Sequence, residues 1–283
     1  MWEAWACKFG INVLPASEKD VALFLIHLGS STVSAANVRL ALPAIVWGHR
    51  FKGIENNLDS QFLKDISCGL RRLYAKPRQP KEPFSAENLK KVVDTSDLEN
   101  LRHLRCATMM VLAFAGFLRF DELRSLKWSD IIFEKGYVTL VIRKSKTDQL
   151  REGDRVLIAQ ALSKACAVSL LKKYLLLSEA RLDSDVFVFR ALTNNNKTRP
   201  TNLQMSYTSV RDVMKRKFIE IGLDHNKFGI HSLRAGGATS AANRGIPDRL
   251  FKRHGRWSSD SAKDSYVKDS VVNMLRVSQS LGL

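Results

Sequence analysis

The sequence predicts a mainly α-helical protein with one small antiparallel β-sheet, arranged as two domains. Helical spacing of apolar residues dominates the chain, and one pair of neighbouring segments shows the pattern of a β-hairpin. A charged, proline-rich stretch separates a short N-terminal part from a longer C-terminal part. With 283 residues, the chain is long enough for two domains of ordinary size.

The boundary stretch covers residues 76–83 and reads Lys-Pro-Arg-Gln-Pro-Lys-Glu-Pro. Proline fixes φ and disfavours helix in the residue before it, so we expect an extended, exposed linker. The linker separates a first domain at 1–75 from a second at 84–283. Because the chain begins within an apolar helical pattern, the sequence leaves open whether a further N-terminal piece precedes it.

Apolar periodicity predicts three helices in the first domain, at about 17–28, 34–48 and 60–74. Ser17 is placed to cap the first of them, with Asp20 in the capping-box position. Basic residues decorate this bundle, and they are Arg39, Arg50, Lys52, Lys64, Arg71 and Arg72.

The second domain is predicted to begin with a helix capped by Ser85, followed by a longer helix at about 101–118. Two strand-like runs, 137–142 and 155–159, flank a polar turn and predict the β-hairpin. The remaining predicted elements are a helix at about 161–177, a short strand at 186–189, a polar loop at 194–200 and helices from Thr208 onward.

The charge balance points to a polyanionic partner. Lys and Arg number 45 against 28 Asp and Glu, which gives a net charge of +17, and nucleic acid is the usual partner of so basic a chain. The four cysteines form neither a zinc pair nor a disulfide pattern. No signal peptide or membrane-length apolar stretch is present, so we expect an intracellular protein without a membrane partner.

The most informative residues lie in the C-terminal part. The segment 229–237 reads Gly-Ile-His-Ser-Leu-Arg-Ala-Gly-Gly, in which His231 and Arg234 share one helix face. Residues 254–257 read His-Gly-Arg-Trp, and Tyr266 follows Trp257 after nine residues. Upstream, Arg119 ends an apolar helix and is followed three residues later by Glu122.

This arrangement resembles the tyrosine recombinase (phage integrase) family. The family signature contains an Arg followed by an acidic residue, a hairpin Lys, His-x-x-Arg, a His or Trp, and a Tyr nine residues further on. The resemblance covers essentially the whole chain and implies a helical, SAM-like core-binding domain followed by the integrase catalytic domain. The wording of 145–149 (Ser-Lys-Thr-Asp-Gln) and of His-Gly-Arg-Trp is most similar to recombinases of DIRS-like and related animal mobile elements.

The resemblance assigns a role to each candidate residue. Two arginines, Arg119 and Arg234, would stabilise charge on the phosphate oxygens, and Tyr266 would attack to form a 3′-phosphotyrosine. Lys146 would protonate the leaving oxygen, although Lys144 competes because residues two apart on a strand share a face.

Three further residues receive roles from the same resemblance. His231 would handle a proton or hold the phosphate, and Trp257 would donate its indole N–H to the phosphate or pack in the core. Glu122 would orient Arg119 or the active-site helix. The reaction would need no cofactor, no metal and no small-molecule substrate, since the phosphotyrosine stores the bond energy.

The family further implies that the two domains clasp double-stranded DNA and that four copies act on two paired sites. The segment 271–283 would dock onto a neighbouring copy, and in a eukaryote the protein would act in the nucleus. Two alternatives stand beside this reading: a DNA topoisomerase of related chemistry, and a non-catalytic DNA-binding protein domesticated from a mobile element. The DNA target, and attack by the tyrosine in cis or in trans, stay open.

Other basic and histidine residues receive a structural interpretation. His254 is out of register with the family pattern, so we expect a structural or DNA-backbone role for it. The remaining histidines are expected to be structural. The basic runs at 172–173, 215–217 and 252–253 are expected to be solvated, with some of their members meeting phosphates.

Overall fold

A computed structural model describes residues 1–31, 35–75, 80–143 and 153–282. The chain divides into two compact units, Met1–Pro80 and Lys81–Leu283. The described residues are mainly helical, with one three-stranded antiparallel sheet, so the predicted fold class is confirmed.

The first unit is a small helical bundle around an apolar core. Ser17 caps α2 by accepting the backbone N–H of Asp20, as predicted. The buried His49 side chain is structural, because its Nε2 accepts the Ala16 N–H and its Nδ1 lies 2.8 Å from the Ile45 carbonyl oxygen. The helices are α1 (Trp2–Lys8), α2 (Glu18–Ser30), α3 (Ala35–Phe51) and α4 (Gln61–Leu73).

The second unit is built around α6, which is buried along most of its length. Ser85 caps α5 by accepting the Asn88 N–H, which confirms that prediction. The helices are α5 (Ala86–Asp94), α6 (Leu101–Ala115), α7 (Phe120–Ser125), α8 (Ala167–Leu177), α9 (Tyr207–Glu220), α10 (Ile230–Asn243), α11 (Asp248–Gly255), α12 (Asp260–Asp264) and α13 (Val271–Gln279).

The sheet has the strand order β1 (Ile131–Glu134), β2 (Tyr137–Ile142), β3 (Asp154–Ala159). Leu140 pairs with Ile131 on one side and with Val156 on the other. The predicted hairpin is therefore present as β2 and β3. The sequence interpretation missed β1, a four-residue edge strand too short to show a clear alternating pattern.

Three local predictions are corrected by the structure. The segment 186–189 is not a strand of the sheet, and it contributes only an isolated β-bridge between Phe187 and Lys127. Helix α8 begins at Ala167, after a turn in which Cys166 Sγ accepts the Ala161 N–H. Lys217 is buried on α9 instead of solvated, and its ammonium group donates to Glu220 at 2.7 Å.

The segment that leads into the second unit is hydrogen bonded to it. Glu82 donates its backbone N–H to the Lys227 carbonyl at 2.8 Å, and Phe84 donates to the Ser232 carbonyl at 2.8 Å. Phe84 is fully buried. These bonds fix the chain just before α5 against the start of α10. Residues 76–79 of the predicted linker lie outside the described residues.

Candidate active site

Arg119 is positioned by an unusual turn between α6 and α7. Phe117 has a φ of +45°, a left-handed conformation that is uncommon for a bulky residue. The turn ends at Arg119, the N-cap residue of α7, whose backbone N–H donates to Glu122 Oε2 at 2.8 Å. The Arg119 guanidinium also donates to Glu122 Oε1 at 2.8 Å. Glu122 therefore holds both the backbone and the side chain of Arg119.

Helix α10 carries His231 and Arg234 one turn apart, as predicted from their spacing. Two glycines let this helix pack closely on its neighbours. A Cβ at Gly236 would lie 1.9 Å from the Phe84 carbonyl oxygen, and one at Gly237 would lie 2.1 Å from the Phe114 carbonyl oxygen. Only glycine at these two positions leaves room for the neighbouring backbones.

Arg234 is fully buried, and its guanidinium lies at the centre of the candidate site. One terminal nitrogen donates to the Phe117 carbonyl, and the other donates to the Gly255 carbonyl at 2.6 Å. Its Cζ lies 4.8 Å from the centre of the Trp257 ring and 5.0 Å from that of Tyr266. Arg234 is thereby held in a fixed position against the candidate nucleophile.

Tyr266 is half-buried in a small aromatic cluster that is separate from the main core of the unit. Its ring lies 5.7 Å from the Trp257 ring, which in turn lies 5.1 Å from Phe251. The Tyr266 carbonyl accepts the Thr239 hydroxyl at 3.3 Å, so α10 also holds the backbone of the tyrosine segment. Tyr266 and Arg234 of the same chain are in contact.

Trp257 is buried, and its indole Nε1 has no hydrogen-bond acceptor among the described residues. Nε of Arg234 is also buried and also has no hydrogen-bond acceptor among the described residues. A buried donor left without an acceptor costs about 1–3 kcal/mol. Two such donors on stacked neighbouring groups indicate a place where an acceptor from outside the protein would be stabilised.

The electrostatic balance of the site is set by one carboxylate and three arginines. Burial alone would raise the pKa of Glu122, but the Arg256 charge and the hydrogen bonds from Arg119 outweigh it, so this pKa is lowered. Burial, followed by the Arg119 charge, lowers the pKa of Arg234 to about 10. At neutral pH the three arginines and Glu122 together leave an excess of positive charge.

His231 is exposed at the start of α10. Partial loss of hydration, followed by the charges of Arg234 and Arg119, lowers its pKa below the ordinary 6.5. A neutral imidazole at physiological pH can accept a proton. His254 has a structural position, since its Nε2 lies 2.8 Å from the Ala115 carbonyl oxygen and its ring packs on Phe117.

Arg256 belongs to the site, although the sequence analysis assigned it no role. Its guanidinium donates to Glu122 Oε2 at 2.7 Å and to the Phe117 carbonyl at 3.1 Å. The residue follows Gly255 within the His-Gly-Arg-Trp motif. An arginine is ordinarily expected at the surface, and no apolar periodicity around this position predicts that it is buried. The structure thus brings together Arg119, Arg234, Trp257 and Tyr266, with His231 nearby, and adds Glu122 and Arg256.

The two candidate hairpin lysines fall in a gap between the described ranges. Lys146 and its competitor Lys144 both lie in 144–152, outside the described residues, while β2 and β3 on either side are described. Within the described ranges, no group of three His, Cys, Asp or Glu side chains could hold a metal ion. No helix in those ranges is long and apolar enough to cross a membrane.

Comparison with known proteins identifies the family to which this chain belongs. The profile of the phage integrase family matches residues 83–271. An integrase/recombinase xerD homolog of Selenomonas ruminantium is 30% identical over 281 residues, which cover 96% of this chain and 81% of the relative. Tyrosine recombinase XerA of Pyrococcus horikoshii is 25% identical over 274 residues, covering 97% and 84%. The chain therefore belongs to the phage integrase family of tyrosine recombinases, enzymes that break and rejoin DNA.

Solved structures share the fold. The XerH site-specific recombinase bound to a palindromic difH substrate matches with a TM-score of 0.64 at 17% identity, covering 94% of this chain and 70% of that one. The Tn1549 transposon integrase in complex with transposon right end DNA matches with a TM-score of 0.63 at 13% identity, covering 95% and 86%. At these identities the likeness concerns the fold.

Proposed function

We propose that this protein is a DNA site-specific recombinase or integrase that cleaves and rejoins strands through a 3′-phosphotyrosine on Tyr266. The observation that carries the proposal is the packing of Tyr266 against the buried guanidinium of Arg234. Glu122 links this pair to Arg119. A phenol next to fixed arginines suits attack on a phosphodiester, whose non-bridging oxygens gain negative charge in the transition state.

The unpaired donors of the site support a phosphate as ligand. Arg234 Nε and Trp257 Nε1 are buried donors without acceptors among the described residues. A phosphate oxygen is a strong acceptor, and arginine offers it fork-like, permanently charged donors. The Trp257 indole would add a neutral donor to the same oxygens.

The chemistry then proceeds with one bond formed and one broken. The phenolic oxygen of Tyr266 attacks the phosphorus, while the bond to the 5′ oxygen breaks and the hairpin lysine, Lys146 or Lys144, protonates that oxygen. His231, neutral at physiological pH, takes up or relays the tyrosine proton. Rejoining is the reverse reaction with another 5′ hydroxyl. Because Tyr266 packs on Arg234 of its own chain, we propose attack in cis.

Covalent trapping tests the proposal. The protein is incubated with nicked duplexes tiled across the DNA that flanks its gene and is then run on a denaturing gel. We expect a DNA-linked band that Tyr266→Phe abolishes and that Tyr207→Phe, which removes an exposed phenol on α9, leaves in place. A native-gel shift without any covalent band would favour the non-catalytic DNA-binding alternative. Relaxation of supercoiled plasmid without exchange of partners would favour the topoisomerase.

The first domain, residues 1–75, is proposed to be the core-binding domain that holds the duplex. Exposed basic residues on its helices support this role. They are Arg39, Arg50, Lys52, Arg71 and Arg72.

The finer assembly is also proposed. Helix α13 buries none of its residues, and Val271, Val272 and Leu275 are at least half exposed. Exposed apolar side chains of this kind suit docking onto a second copy, as expected for a tetramer on two paired DNA sites. Mass photometry with and without DNA would measure the number of copies bound.

The source and location are proposals of the same kind. The wording of 145–149 and 254–257 supports an origin among DIRS-like and related animal mobile elements. In a eukaryotic cell the protein would then act in the nucleus. A fluorescent fusion reports the location, and the repeats that flank the gene report the type of element.

A further inference from the structure

Arg256 combines two unfavourable features. Its φ is +55° and its ψ is 45°, a left-handed conformation in which glycine would be unstrained. Its guanidinium is nevertheless buried, with a side chain only 4% exposed. A charged residue persists at such a position when the surrounding contacts over-determine it.

The contacts of Arg256 converge on the turn that places Arg119. One terminal nitrogen donates to the Gly116 carbonyl at 3.3 Å, and the other donates to the Phe117 carbonyl at 3.1 Å and to Glu122 at 2.7 Å. A further bond to the His254 carbonyl at 2.9 Å ties the guanidinium to the end of α11. A single side chain thus joins the turn after α6, the carboxylate on α7 and the segment that leads to Trp257.

The Phe117 carbonyl is the shared point of this network. It accepts from Arg256 and from Arg234, while Glu122 accepts from Arg256 and from Arg119. Arg256 therefore touches both groups that hold the two candidate phosphate-binding arginines. Its own terminal nitrogens are occupied by these protein acceptors.

We propose that Arg256 is a positioning residue of the strand-transfer site, which locks Phe117 and Glu122 so that Arg119 and Arg234 are fixed for the scissile phosphate. The inference rests on the proposed function. Arg256 acts through the other two arginines.

A consequence concerns the charge of Glu122. Among the described residues, the charged and titratable groups that face Glu122 are Arg119 from its own helix, Arg234 from α10 and Arg256 from the end of α11, with His254 beside Arg256. Arg256 contributes strongly to the lowered pKa of Glu122. Without it that pKa rises, so Glu122 becomes protonated at a higher pH and releases Arg119 there.

The test compares Arg256→Gly and Arg256→Lys in the trapping assay on nicked duplexes from the flanking DNA. Glycine fits the left-handed backbone but removes the cation, whereas lysine keeps a cation with a single donor head. Arg181→Gly removes one exposed positive charge, paired with Asp183, as a matched control. The amount of folded protein and the native-gel affinity are measured for every variant.

We expect Arg256→Gly to slow covalent-complex formation at least tenfold at pH 7.5, with native-gel affinity within about threefold of the unchanged protein. Arg256→Lys should recover part of the rate. As the pH falls from 7.5 to 5.5, the glycine variant should lose rate more steeply than the unchanged protein after both rates are corrected for the unfolded fraction at each pH.

Two results would overturn this inference without affecting the proposed function. In the first, the unchanged protein and Arg256→Gly form the covalent complex at equal rates at every pH. In the second, the unfolded fraction of Arg256→Gly fully explains its lower rate. If the unchanged protein forms no covalent complex on any duplex, the proposed function itself fails and the inference falls with it. The unchanged protein and the variant thus separate the two failures.

Discussion

Glu122 is one carboxylate shared by three arginine side chains. Breaking a buried ion pair by removing one partner typically costs about 3–5 kcal/mol, because the other charge is left uncompensated. A substitution at Glu122 would therefore lower both the stability of the protein and its rate of cleavage, and the two effects could not be separated. Arg234 is better suited to a direct test, since lysine preserves its charge.

Arg234→Lys should slow covalent-complex formation about 10²–10³-fold while DNA affinity on a native gel changes little. A lysine has one donor head and cannot bond to both the Phe117 and the Gly255 carbonyls in the present geometry. Arg181→Lys, at an exposed site, is the matched control. An undiminished rate in Arg234→Lys would remove Arg234 from the site.

His231 makes a pH prediction. Partial loss of hydration and the charges of Arg234 and Arg119 lower its pKa from 6.5, so the imidazole stays neutral down to a pH below that value. If His231 accepts a proton in cleavage, the rate should fall with acidification only below pH 6.5, and His231→Gln should flatten that part of the profile. A decline centred above pH 6.5 would contradict this role. The lowered pKa also means that protonation of His231 favours the unfolded chain, so its effect on stability becomes unfavourable as the pH falls.

At the scale of single elements, α10 is the central support of the site. It carries His231 and Arg234, and its Thr239 hydroxyl accepts the Lys268 N–H and donates to the Tyr266 carbonyl. Its glycines fix the depth at which it packs against Phe84 and α6. A small displacement of this helix would therefore move both the arginine and the tyrosine segment.

Gly236→Ala should destabilise the second unit by at least about 1–3 kcal/mol, because the new Cβ would lie 1.9 Å from the Phe84 carbonyl oxygen. Gly69→Ala is the matched control on α4, where nothing lies within 4 Å of the new Cβ. This second change should stabilise its helix by roughly 0.5–1 kcal/mol through helix propensity. Denaturant unfolding measures both, and equal effects of the two changes would refute the packing argument.

Local signals predicted many elements well and failed where tertiary contacts decide. The caps at Ser17 and Ser85 and the β2–β3 hairpin were predictable, because each depends on neighbouring residues. The strand assigned to 186–189 was wrong, since Val188 and Phe189 are buried in a segment that makes only an isolated bridge.

The residue types of the candidate site were predictable, but the hydrogen bonds that connect them were not. The spacing of His231, Arg234, Trp257 and Tyr266 marked the residues that the structure brings near each other. The left-handed backbones of Phe117 and Arg256 left no signal, because non-glycine residues take that conformation only under contacts from distant parts of the chain. The burial of Arg256 was hidden for the same reason.

The whole molecule carries a net charge of +17, and its interaction with DNA should depend strongly on salt. Arg253, exposed on α11, is a candidate phosphate contact next to the site. Arg253→Gln should weaken binding to all duplexes alike and reduce the slope of log affinity against log salt by about one. Arg181→Gln, whose charge is shared with Asp183, should leave the slope unchanged. Equal slopes for Arg253→Gln and the unchanged protein would exclude that contact.

Tyr266 belongs to the small aromatic cluster with Phe117, Phe251 and Trp257 and not to the main core around α6. The free energy needed to open a segment locally depends on the apolar surface that it must expose. Amide hydrogens of α12 should therefore exchange with solvent through brief local openings, whereas those of α6 should exchange only through global unfolding. The segment that carries the nucleophile can therefore open locally at a lower free energy than global unfolding requires, while α6 stays folded.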